Sequence, residues 1–192
     1  MPGNNLTRAE AAERSAHLKV HHYDVFIDVT KGEETFIART KVTFDCNNPG
    51  YTTFIDAAGK RIISAELNGN PVDTSNFDGE FLALKDLKSS NELVIEIEAI
   101  YSKSGEGLQR SVDPVDNEVY LYSQGETAFI RNMYPCFDQP DLKATFAFTV
   151  VAPKHWEVIS NNPVSKTTDI GNSKQWEFTK TPVMSTYITA VV

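Results

Sequence analysis

Cysteine is nearly missing from this chain: 192 residues hold two, Cys46 and Cys136, far apart. That excludes a disulfide framework, and two buried free thiols are the plain reading in a reducing compartment. Positive charge is also short. Against 26 Asp and Glu stand 18 Lys and Arg, a formal net charge of −8. An acidic surface repels phosphate backbones, and no basic run interleaves with aromatics, so nucleic acid is set aside as a partner. No apolar run reaches membrane-spanning length, and the opening MPGNNLTRAEAAERSAHLKV has no apolar signal-peptide core. The expectation is a cytoplasmic protein without membrane contact.

Catalytic signatures are missing too. There is no H-E-x-x-H for zinc hydrolysis, no G-x-S-x-G and no G-x-x-x-x-G-K-[ST]. The four histidines are His17, His21, His22 and His155. His21 and His22 are adjacent, so on a strand they point to opposite faces and cannot chelate one ion together. His155-Trp156-Glu157 has H-x-E without a downstream C-x-x-C, which removes a deaminase-type zinc. Satisfied or solvated histidines are expected. By itself the chain holds no complete active site, no metal site and no catalytic residue.

What is present is alternation. Phe36, Ala38, Thr40, Val42 and Phe44 share one face, with Arg39 and Lys41 opposite; Leu93, Ile95, Ile97, Ala99 and Tyr101 face away from Glu96 and Glu98. Phe146, Phe148 and Val150 repeat the period of two, which marks half-buried strands. Turn signals separate them, among them NNPG at 47–50, LNGN at 67–70 and DIGNS at 169–173. One helix is expected, where Thr7 opens a T-x-x-E capping box with Glu10 before an alanine-rich stretch. The resulting expectation is an all-β, multi-sheet sandwich with a short helical N-terminal appendage, divided as 1–16 and 17–192. The polar, glycine-rich stretch from Ser102 to Asn117 is expected to be a long loop. Met184–Val192 ends the chain inside an apolar β-branched run, which suggests a piece of a longer protein.

One stretch holds more than turns and strands, YLYSQGETAFIRNMYPCFDQPDLKATF from Tyr120 to Phe146. Within it, Pro135–Pro140 is a constrained corner, where Pro140 biases Gln139 away from helix and Asp138 is placed to cap nearby amides in an Asx-type turn. Ser123-Gln-Gly-Glu126 follows an apolar strand. It reads either as a loop with a glycine bend, or as a bend that projects Gln124 and Glu126 together. A carboxylate and an amide oxygen aimed into a cleft would hold a cationic head group such as an ammonium.

The order GLQRSVDPVDNEVYLYSQGETAFIRNMYPCFDQPDLKATFAFTVVAPKHWEVISNN, preceded by HHYDVFIDV and followed by TPVMSTYITAVV, resembles the N-terminal domain of the M1 family of zinc aminopeptidases, of the aminopeptidase N type. The likeness covers essentially the whole chain. Its most specific part is Q-x-E followed by P-C-F-D-x-P-D-x-K-A-T-F, and the opening helix with LKVHHYD is closest to bacterial, actinobacterial-like members. Gln139 departs from the Glu common at that corner. The resemblance implies a saddle-shaped β domain leaning on a separate catalytic domain, which carries G-x-M-E-N, H-E-x-x-H and the zinc. It also implies that Glu126 helps bind the free α-amino group of a peptide and that Gln124 lines the pocket for the first side chain. Peptides with a free N-terminus and the parent's own catalytic domain are then the expected partners, and zinc is expected in the full-length enzyme, not in these residues. The other reading is a β-sandwich binding or scaffold module of the same family.

Overall fold

The computed structural model describes residues 5–192. Asn4 and the residues before it, part of the 1–16 segment set apart in the sequence, lie outside the described residues. The expected capping box is present. Thr7 Oγ1 accepts from the Glu10 amide at 3.3 Å while Glu10 Oε2 accepts from the Thr7 amide at 2.8 Å, and helix α1 (Arg8–His17) follows. Two orphan amides of the first turn are thereby satisfied, which lets so short a helix start. It then runs directly into β1 (Leu18–Asp28).

Period-two patterning decides the strands. In β2 (Thr35–Cys46) the residues at 36, 38, 40, 42 and 44 are buried, and in β7 (Ser90–Ile100) those at 91, 93, 95, 97 and 99. The two strands pair antiparallel from Thr35 with Ile100 to Asp45 with Ser90, with Arg39 opposite Glu96 and Lys41 bonded to Glu92 at 2.8 Å on the solvent face. They form the centre of an eight-stranded sheet. On one side lie β4 (Arg61–Leu67) and the short β5 (Asn70–Pro71), joined through Asn68 and Gly69, both at positive φ. Asn-Gly is the dipeptide that accepts such a tight hairpin. On the other side lie β1, β10 (Thr145–Pro153), β12 (Ser173–Phe178) and β11 (Val164–Ile170).

β1 and β10 pair in parallel, from His22 with Thr145 to Asp28 with Val151. A parallel pair needs a long crossover, and here everything from Val29 to Ala144 supplies it. Two small ladders sit within that crossover: β3 (Thr53–Asp56) with β6 (Phe81–Leu84), and β8 (Gly107–Val112) with β9 (Val119–Gln124). The architecture is all-β and multi-sheet with a short N-terminal helix, as the patterning indicates. One contiguous core joins the inner face of the large sheet to Ile55, Leu82, Leu108, Ile130, Tyr134 and Phe137. Tyr23 stacks on Phe146 with centroids 4.9 Å apart.

Two expectations change. Residues 107–112 form β8 and are not loop: Leu108 is fully buried and pairs opposite Ser123. A strand with one buried apolar anchor has no readable period, so partner pairing decided it. Helix α1 is also more than an appendage, because its Arg14 is only 2% exposed. The Arg14 guanidinium donates through Nη1 to Asp56 at 3.1 Å and through Nε to Gln139 Oε1 at 2.9 Å, and stacks over the Phe54 ring at 4.5 Å.

Candidate functional site

Glycine is required on both sides of Gln124. Gly107 lies directly opposite it in the β8–β9 ladder with φ +82°, where Asn132, its Cβ first, closes in on the position a side chain would take. Gly125 comes next and is buried, while Gln124 and Glu126 on either side are exposed. A Cβ on Gly125 would overlap the Ile130 side chain and approach the Tyr187 carbonyl to 3.1 Å. The chain is therefore pressed between two walls at Gly125, and its two polar neighbours face solvent from one short, seated segment. The Glu126–Thr127 peptide is cis. Gly125→Ala is expected to cost about 1–3 kcal/mol, as overpacking of a filled interior does. Urea unfolding of the 192-residue chain checks it, with an unchanged midpoint as the contrary result.

Further contacts fix this region to the sheets. The Phe129 amide donates to the Gly125 carbonyl at 3.1 Å and closes the turn after Glu126. Ser123 bonds with Val191 twice: its amide donates to the Val191 carbonyl at 3.0 Å and its Oγ accepts from the Val191 amide at 2.8 Å. Val192 and Ile159 exchange backbone hydrogen bonds beside it. Tyr120 and Tyr122 share the exposed face of β9 with Gln124, so this end of the molecule presents aromatic and aliphatic surface together with Ile159, Ile188 and Val192.

The Pro135–Pro140 corner lies behind these walls, where the sequence places a structural element, but Asp138 acts differently from expectation. It makes no local Asx turn. Its Oδ2 accepts from the Arg131 amide at 3.1 Å and its Oδ1 from the Thr186 hydroxyl at 2.8 Å. The Asp138 amide in turn donates to Asp56 Oδ2 at 3.0 Å. Gln139 uses both ends of its amide. Oε1 receives Arg14, and Nε2 donates to the Ala11 carbonyl at 2.9 Å and to Asp141 at 2.8 Å. A carboxylate could not make the last two bonds. Nothing local in the sequence signals these long-range partners.

Burial pushes the Asp138 carboxyl up to about 6, against the donors from Arg131 and Thr186 and with help from the charge on Asp56. The sign follows from proton binding. A folded-state value above the ordinary carboxylate value means the folded chain holds the proton more tightly between about pH 4 and 6, so this group's contribution to stability falls as pH rises through that window, by about 3 kcal/mol. Surface carboxylates such as Glu98, held low by Lys60 and Arg61, act in the opposite sense. The measurement is therefore a difference. Relative to the parent chain, Asp138→Asn gains stability in urea titrations as pH is raised from 4 to 7, and a pH-independent difference would contradict the assignment.

Three of the four histidines are hydrogen-bonded elsewhere, His17 with Asn47, His21 with Asp45 at 2.8 Å, and His22 with Asp24 and Thr145, and His155 lies edge-on to Trp156. Among the described residues no three of His, Cys, Asp and Glu converge to hold a metal ion. Cys46 and Cys136 are both buried free thiols. No helix among the described residues is long and apolar enough to cross a membrane.

The profile of the peptidase M1 N-terminal domain matches residues 19–188. The chain belongs to that family. It is 42% identical to an aminopeptidase N of Streptomyces lividans, over 100% of this chain and 22% of that protein. It is 30% identical to a leucyl aminopeptidase of Saccharolobus solfataricus and 30% identical to human aminopeptidase Q, in each case over 89% of this chain and 21% of the relative. This M1 N-terminal domain thus spans about a fifth of the length of these three relatives.

Proposed function

We propose that this chain is the substrate-anchoring domain of a zinc aminopeptidase, in which Glu126 receives the free α-ammonium of a peptide and Gln124 borders the pocket for the first side chain. The observation that carries the reading is the exposed–buried–exposed order of Gln124, Gly125 and Glu126 on a seated segment. The aminopeptidase names of the relatives support the reaction class.

The physical need is one of measurement. An exopeptidase must hold the chain end one residue from the bond to be cut. A carboxylate at a set distance accepts an ammonium and offers nothing to an internal amide, whose N–H carries no charge. A bound zinc would polarise the scissile carbonyl and supply hydroxide; the described residues do not fit it, so its ligands fall to the rest of the parent polypeptide. The role of this chain is orientation, and packing Gly125 between Ile130 and Tyr187 supplies the rigidity. The exposed tyrosines of β9 with Ile159, Ile188 and Val192 are the surface we assign to the remainder of that polypeptide. The cytoplasm remains the proposed location. The test is the kinetics of Glu126→Ala in the full-length enzyme on aminoacyl anilides, with wild-type kcat/KM as the overturning result.

A further inference from the structure

Two walls seat the Gln124–Glu126 segment, and each wall leads into a short 3-10 turn. Ile130 opens the turn Ile130–Asn132, and Tyr187 lies in the turn Thr186–Ile188. These turns are far apart in the chain and are joined by one side chain. Asp138, 3% exposed, takes the Arg131 amide of the first turn on one oxygen and the Thr186 hydroxyl of the second on the other. Its own position is set from beneath. The Asp138 amide is bonded to Asp56, which Arg14 holds at 3.1 Å and which exchanges two 2.9 Å backbone hydrogen bonds with Cys136. On the far side of the second turn, Thr189 Oγ1 bonds the Thr186 carbonyl at 2.8 Å and the Tyr134 hydroxyl at 3.0 Å.

We propose that Asp138 is a positioning residue for aminopeptidase action: by clasping the two turns that press on Gly125, it sets where the Glu126 carboxylate stands. The inference rests on the reading of Glu126 as the ammonium anchor. A carboxylate has two oxygens about one hydrogen-bond reach from different partners, so one group can tie two backbone segments to a common point. Losing either bond frees one wall. Glu126 then samples positions displaced from the peptide's amino end, and displacements near 1 Å are costly to a reaction that depends on placement. A purely structural Asp138 would lower stability without singling out the function of Glu126.

The experiment uses the full-length enzyme and aminoacyl anilide substrates. Thr186→Val removes the hydroxyl at nearly constant volume, and Thr186→Ser keeps it. The expected result is a KM raised about tenfold in Thr186→Val with kcat within about threefold, and kinetics close to the parent in Thr186→Ser. On a Glu126→Ala background Thr186→Val should change KM no further, because the group being positioned is gone. Parent-like kinetics in Thr186→Val, an equal loss in Thr186→Ser, or an undiminished effect on the Glu126→Ala background each overturns the proposal. Parent-like kinetics of Glu126→Ala alone would sink the anchor reading instead. Hydrogen exchange separates the two failures: Thr186→Val should speed exchange of the peptide containing the Phe129 amide and leave β1 peptides unchanged. Unchanged exchange at Phe129 overturns the clasp whatever the kinetics show.

Discussion

Glu126→Ala in the full-length enzyme is expected to lower kcat/KM on aminoacyl anilides by about a hundredfold, while its melting temperature stays with the parent's. The size comes from a charge-assisted hydrogen bond sheltered from water by the bound substrate, which is worth about ten- to a hundredfold in binding and more where truncation strands the opposing charge. The unchanged melting temperature follows from the exposure of Glu126, because the carboxylate is solvated when no peptide is present. Glu126→Gln retains the hydrogen-bond acceptor and drops the charge, so it should fall between the parent and Glu126→Ala. N-acetylated substrates provide the internal control. They carry no ammonium, and whatever residual cleavage they undergo should be indifferent to both substitutions. A loss shared equally by free and blocked substrates would mean that Glu126 supports the site in some way other than reading charge.

Arg14→Leu is expected to destabilise the 192-residue chain by about 3–5 kcal/mol at neutral pH, the range for breaking a buried ion pair from one side. Arg14 and Asp56 are both nearly inaccessible, with side chains 2% exposed. Asp56 is left with the Asp138 amide and the charge on Arg131 once the guanidinium is gone, and Gln139 Oε1 loses the Arg14 donor as well. Leucine also removes the cation from above the Phe54 ring. The pH dependence identifies the cause. Burial already raises the Asp56 carboxyl, with the Arg14 charge opposing it. Without Arg14 that carboxyl takes up a proton more readily, so the folded variant gains relative to the unfolded chain as pH falls, and the deficit shrinks toward pH 5. Arg14→Leu with Asp56→Leu should recover part of the loss, because two apolar side chains leave no stranded charge. A single-variant deficit that does not change with pH, or a double variant worse than the sum, would contradict the account.

The strands of the large sheet were readable because each carries its own evidence. Phe36 through Phe44 and Leu93 through Ala99 alternate by themselves, and burial of one face follows from the pleat. The helix start was readable for the same reason, since Thr7 and Glu10 satisfy each other three residues apart. β8 was not, because a single buried leucine sets no period and only its partner β9 makes it a strand. Asp138 shows the same limit at the site. A turn-forming Asp in a proline corner is the local expectation, yet its partners lie 7 and 48 positions away.

The sequence alone therefore determined the all-β class, the capped helix, the family likeness and the placement of Gln124 and Glu126 around a glycine. The likeness runs along essentially the whole chain, and each of the others depends on residues within a few positions of one another, where period and spacing are visible. Only the tertiary structure decided that Gly125 is wedged between Ile130 and Tyr187, that Arg14 reaches Asp56 and Gln139, and that Asp138 joins two distant turns. Buried polar groups must find partners wherever the folded chain brings them, and that choice is made by packing across the core, not by neighbours along the chain.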